Sequence, residues 1–185
     1  MIESVALKKG IRVDLSEEYL GIYNLIDKLK VIIKSDTPYL AIENLGDGAV
    51  LSDVVNIIDK YGIVPETVFK KKFKSKSPSK LLRKSLKPYL ADPDQLKKLK
   101  NDKFLVDKIL AVLDIKLPEV TDTFRYKGVE YTPKSYAKEI LGFSKDDFVT
   151  VNSFIQDELH LNYNLHLIKL ALLDDYSVPI GVRTY

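Results

Sequence analysis

Gly46-Asp-Gly-Ala-Val-Leu-Ser-Asp-Val-Val-Asn-Ile-Ile-Asp-Lys-Tyr-Gly-Ile-Val-Pro-Glu-Thr-Val-Phe69 reads as a glycine turn, an amphipathic helix, a glycine stop and a short extended exit. Leu51, Val54, Val55, Ile58 and Tyr61 recur at the spacing that puts them on one helical face. Ser52 is placed to cap the helix start, and Gly62 supplies the left-handed residue that ends such helices. Pro65 forbids continuation. The plain reading of Gly46 and Gly48 is a tight turn before a buried helix.

Working back from this stretch, Asp14-Leu-Ser-Glu17 has the spacing of a capping box and predicts a helix to about Lys34. Leu20, Tyr23, Leu25, Ile26, Leu29 and Ile33 supply much of its buried face, and Ser35-Asp-Thr-Pro38 closes it. Residues 1–10 read as the last turns of a helix stopped at Gly10. They lack the basic start and long apolar middle of a secretory signal.

Working forward, Asp92-Pro93 marks a capped helix start. Leu96, Leu99, Phe104, Leu105, Ile109, Leu110 and Leu113 continue one helical stripe towards Ile115, with Pro118 beyond it. Two alternating runs around Lys127-Gly128, within Phe124–Tyr131, predict a hairpin. Thr132-Pro133 caps a further helix through Leu141, stopped at Gly142. Phe148–Phe154 and Tyr176–Arg183 read as strands, the latter an edge or bulged one because of Pro179. Asn164 is placed to cap a helix with Leu165, Ile168 and Leu172 on its apolar face. Helices come first and strands late, without strand–helix alternation, so the expected class is α+β.

The 185 residues fit a single domain, and 45% hydrophobic with 30% charged residues is the composition of a soluble globular protein. No apolar run approaches the roughly 20 residues of a membrane span. The chain has no cysteine, which excludes disulfides, thiolate metal sites and a thiol nucleophile within it. His160 and His166 have no partner at ligand spacing, so neither a metal nor a cofactor is expected. Charge is unevenly spread. Residues 70–100 carry twelve cations against Asp92 and Asp94, a local +10 that leaves −7 for the rest of a chain whose total is +3. Lys70, Lys71, Lys72, Lys74, Lys76, Lys80, Arg83 and Lys84 form a candidate basic patch for nucleic acid or an acidic partner. The plainer reading is a solvated insertion or linker over 70–91, between a helical part (1–69) and a part made of helix, hairpin and strands (92–185).

The word order of 46–69 resembles the papain-like cysteine peptidases, in particular the bleomycin hydrolase and aminopeptidase C branch. In that branch a glycine-rich turn lines the substrate cleft and a helix leads into a Tyr-Gly exit with a proline. The DLSEEYL entry to the preceding helix is similar to the family's pattern. So are TFRYKGVEYTPKSYAKEILGFSKDDFVTVNSF (123–154) and IKLALLDDYSVPIGVRTY (168–185). The resemblance implies a partial papain-like fold and a peptide-binding role for Asp47, Gly48 and Ala49, with Ala49 standing where a second glycine is more usual. Backbone pairing would survive that change, since alanine keeps both N–H and C=O.

The family's nucleophile would lie a turn or two before Met1 and its histidine and asparagine beyond Tyr185, so no catalytic residue is assigned. Neither His160 nor His166 inherits the base's role. Three readings follow: a piece of a cysteine aminopeptidase-like enzyme, a protein that has lost catalysis but kept the scaffold for peptide binding, or a basic binding or assembly protein. The first two predict exposed apolar surface near both termini, open to oligomerisation or a partner chain.

Overall fold

A computed structural model describes residues 2–8, 10–70, 77–148, 166 and 168–173. The class is α+β: helices α1 (Ile2–Lys8), α2 (Glu17–Lys34), α3 (Pro38–Ala41), α4 (Leu51–Tyr61), α5 (Pro78–Ala91), α6 (Pro93–Leu99) and α7 (Asp102–Leu113) precede an antiparallel hairpin, β1 (Phe124–Tyr126) and β2 (Val129–Tyr131), and then α8 (Pro133–Glu139).

Helix α2 is the axis of the main core. Five consecutive residues, Ile22 to Ile26, are buried, along with Tyr19, Leu29 and Ile33. A run of that kind has no solvent face, and α2 has neighbours on several sides: α3, α4 and α7. The cap is Ser16, whose hydroxyl accepts from the Tyr19 N–H at 3.1 Å, and not Asp14. Asp14 lies two residues before the cap, where its carbonyl accepts from the Glu66 N–H at 2.9 Å. With the Ser16 N–H donating to the Val64 carbonyl at 3.0 Å, this forms a short bridge between the entry to α2 and the exit from α4. That is the extended exit the sequence around Pro65 predicts.

Helix α4 lies between two cores. Ile57 faces the one built on α2, α5, α6 and α7, and Ile58 faces a second built on α1, α8 and the hairpin. Ser52 does not cap it. Val50 is the residue before the helix, and Asp53 reaches back to accept from the Val50 N–H at 3.2 Å. At the other end Gly62 has φ +76 and ψ −161, and a Cβ there would lie 2.2 Å from the Pro133 carbonyl carbon. The Ile63 N–H donates to the Pro133 carbonyl at 3.1 Å. This glycine therefore both ends α4 and admits the first turn of α8.

Over its described part, 77–91, the segment 70–91 packs into the main core. Ser77 caps α5, and Ser79, Leu82, Leu86 and Leu90 are buried along one stripe of the main core. Pro88 sits inside α5, but it and Lys84, whose carbonyl it leaves without an N–H partner, are both exposed. The stripe over 93–113 is two helices, not one. Asp92 caps α6 through the N–H groups of Asp94 (2.8 Å) and Gln95 (3.1 Å), and Asn101 caps α7 through that of Phe104 (3.0 Å). Helix α7 ends at Asp114 in the left-handed conformation (φ 55, ψ 51), with no glycine to announce it.

The hairpin has the expected register, Phe124 opposite Tyr131 and Tyr126 opposite Val129, with positive φ at both Lys127 and Gly128. Thr132 caps α8, accepting from the Ser135 N–H at 3.2 Å. The Tyr136 ring is fully buried among Phe124, Tyr126 and Tyr131, with centroids 5.1–5.9 Å away. Its hydroxyl has no hydrogen-bond partner among the described residues. Of the strand expected over 148–154 only Phe148 is described, closing a 3-10 turn over Lys145–Asp147. The rest of it and the strand over 176–183, together with His160, Asn164 and Leu165, lie outside the described residues. Residues 166 and 168–173 are helical, and Leu170, Leu172 and Leu173 are exposed, as is Leu7 in α1. Among the described residues, no helix is long and apolar enough to cross a membrane.

Candidate functional site

The turn singled out by sequence runs from buried Leu45 to the start of α4, and Gly46, Asp47, Gly48 and Ala49 are all exposed. It is fastened from two sides. From α2, Asn24 Nδ2 donates to the Gly48 carbonyl at 3.1 Å, and Lys28 Nζ donates to the carbonyls of Gly46 (3.3 Å) and Gly48. From the start of α5, Ser77 Oγ donates to Asp47 Oδ2 and the Ser79 N–H to Asp47 Oδ1, each at 2.6 Å. Partial burial pushes the Asp47 carboxyl up, but these two hydrogen bonds outweigh it and hold the group below the usual aspartate value. The N–H groups of residues 46–49 make no hydrogen bond among the described residues.

Neither Gly46 nor Gly48 is required by the fold. Both lie outside the left-handed region, and a Cβ on either would meet nothing within 4 Å. What the missing side chains leave open is the space above the turn. Beside it lies an open groove of about 550 Å³ between α2, α4 and the connection from α3. Ile32, Leu45 and Ile57 form apolar lining, and Asn24, Asp27, Lys28, Asn44, Asp53 and Asn56 supply polar groups.

Most of these polar groups already have partners. Asp27 accepts from Lys60 Nζ at 2.8 Å and from the Tyr61 hydroxyl. Burial, then the hydrogen bond to Asp27, raises the Tyr61 phenol far above its ordinary value. Tyr61 stacks on Tyr23 at 4.1 Å between centroids, and burial pushes the Tyr23 phenol up to about 12. The Tyr19 hydroxyl donates to the Tyr61 carbonyl at 3.0 Å. This tyrosine cluster fixes α4 against α2 and so sets the width of the groove. Asn24, Lys28 and Tyr19 were not singled out in the sequence, whereas Tyr23 and Tyr61 were read there as parts of buried helical faces. A buried asparagine inside an apolar helical run was the available signal.

A smaller hollow of about 340 Å³ lies against the start of α4, where Ser52 faces Lys145, Asp146 and Phe148. The basic patch is only partly gathered. Lys71, Lys72, Lys74 and Lys76 lie outside the described residues. Lys70 pairs with Glu66 at 2.7 Å, and Arg83 donates to the Glu43 carbonyl at 2.9 Å. Lys87 pairs with the Glu43 carboxylate, which lowers the pKa of that group. Lys80 and Lys84 remain exposed on α5. Among the described residues no cluster of three or more His, Asp or Glu is placed to hold a metal ion.

No family model matches the chain, and no match was found among curated proteins.

Proposed function

We propose that the chain is a papain-like cysteine peptidase domain of the bleomycin hydrolase and aminopeptidase C kind, or its non-catalytic remnant, and that it binds a peptide along residues 46–49 without cleaving it. The observation that carries this reading is the turn itself. Its residues are exposed and their N–H groups make no hydrogen bond among the described residues, its carbonyls are anchored from behind by Asn24 and Lys28, and a groove with apolar lining opens beside it. Exposed, immobilised N–H groups accept the carbonyls of an extended peptide, and an adjoining groove takes its side chains. The chain has no thiol, so it performs no thiol-dependent hydrolysis.

The test uses labelled peptides and fluorescence anisotropy on the full chain. At Gly48 a Cβ meets nothing within 4 Å, so Gly48→Val sets bulk where the ligand would approach, and its melting temperature checks that folding is preserved. A Kd raised at least about tenfold at unchanged melting temperature is expected, the loss of one well-formed contact. Equal affinity in variant and parent would end the proposal. The alternative, a basic surface that binds nucleic acid or an acidic partner through residues 70–100, has less support. Lys70, Arg83 and Lys87 are turned onto Glu66 and Glu43.

A further inference from the structure

We infer that Ser77 is a phosphorylation site whose modification unfastens the Gly46–Ala49 turn from α5. The sequence Ser77-Pro78-Ser79-Lys80 sets a serine directly before proline, with a lysine two positions beyond, the pattern that proline-directed protein kinases select. The same serine is the half-buried cap of α5, its hydroxyl donating to Asp47 Oδ2 at 2.6 Å and accepting from the Lys80 N–H at 3.3 Å. The modification site and the fastening are thus one atom, Ser77 Oγ.

In the transfer, a bond forms between Ser77 Oγ and the γ-phosphorus of ATP while the bond from that phosphorus to the β–γ bridging oxygen breaks. ADP leaves, and the hydroxyl proton passes to the kinase's carboxylate base. The product can no longer donate to Asp47, and it sets a charge of about −1.5 to −2 against that carboxylate. A phosphate at the start of a helix is itself favoured by the free N–H groups there. It therefore takes over the Ser79 and Lys80 N–H donors and expels Asp47, whose hydrogen bonds among the described residues come from Ser77 and Ser79. Among the described residues the turn then keeps its Asn24 and Lys28 contacts. This holds whether or not the groove takes a peptide.

The experiment phosphorylates the full chain with a proline-directed kinase and ATP, maps the product by mass spectrometry and measures amide ¹⁵N relaxation. Phosphate is expected on Ser77 and absent from Ser77→Ala. Order parameters at residues 46–49 should fall from about 0.85 to below about 0.6, while those of α2 hold. Asp47→Asn replaces the repelled carboxylate with an amide whose Nδ2–H can donate to the phosphate, so phosphorylation of that variant should leave the turn rigid. No phosphate on Ser77, a rigid turn in the phosphorylated parent, or undiminished loosening in Asp47→Asn would each overturn the inference.

Discussion

Replacing Gly62 with alanine tests the joint on which the two cores meet. An ideal Cβ at this position lies 2.2 Å from the Pro133 carbonyl carbon and 2.4 Å from both the Pro133 oxygen and the Lys134 nitrogen, all of them backbone atoms that cannot rotate away. The backbone itself, at φ +76 and ψ −161, lies in a region almost closed to residues with a Cβ. Strain there costs about 1–3 kcal/mol, and forcing an extra carbon into close-packed surroundings a further ~1–3 kcal/mol. Relief of unfolded-state entropy returns about 0.4–1 kcal/mol, leaving a loss of roughly 2–5 kcal/mol. For a domain near this size that is a fall in Tm of about 4–20 °C. Urea denaturation of parent and variant measures it, with Gly48→Ala as the control. At Gly48 a Cβ meets nothing and φ is ordinary, so stability should be unchanged or raised by up to about 1 kcal/mol. A Gly62→Ala variant within about 1 kcal/mol of the parent would refute the close approach of α8 to the end of α4.

Tyr136→Phe deletes a buried hydroxyl that has no partner among the described residues and keeps the ring that packs on Phe124, Tyr126 and Tyr131. Stability should be unchanged or rise by up to about 1–2 kcal/mol, and a clear loss in thermal melts would mean that the hydroxyl is bonded after all. Asn101→Ala removes the cap of α7 and should cost about 1 kcal/mol in urea unfolding, whereas a neutral result would favour one continuous helix over 93–113. The Asp47 carboxyl is held below its unfolded value of 3.8. Its contribution is therefore complete above that pH and is lost as pH falls through the lower folded value. The stability gap between parent and Asp47→Asn should close on acidification below about pH 4, and a gap that stayed constant would count against the clasp.

Local chemistry made much of this fold legible. The hairpin was readable because Lys127-Gly128 suits a tight turn between alternating runs, and α8 because Thr132-Pro133 spells a capped start. Helix entries were less so. Asp14 and Ser52 both satisfy the rules for a cap, but Asp14 is drawn into the bridge with Glu66 and Ser52 sits inside the first turn of α4. Sequence offers several cap candidates within two or three residues, and tertiary hydrogen bonds choose among them. The break between α6 and α7 was hidden because apolar spacing runs on across Lys100 and Asn101. The exposed turn at 46–49 was found from its glycines. Its anchors were not, since Asn24 and Lys28 stand about twenty residues away and act only once α2 is folded beside it.

The basic segment is where composition misled most, and the reason is quantitative. Twelve cations between 70 and 100 outweigh everything else in a charge profile, yet charge reports only the outward face of a helix. On the inward face of α5, Leu82 and Leu86 are 0% exposed and Leu90 is 5% exposed. Burying three such side chains contributes roughly 5–9 kcal/mol, comparable to the whole stability of a domain, typically about 5–15 kcal/mol. Removal of α5 would therefore open the core and not merely trim a surface. The same helix begins at the serines that grip Asp47, which makes the wall of the groove and the basic face parts of one mechanical unit. A ligand or modification that moves the start of α5 must therefore act on the turn at 46–49, because Asp47 cannot keep both hydrogen bonds if that helix start shifts by more than a fraction of an ångström.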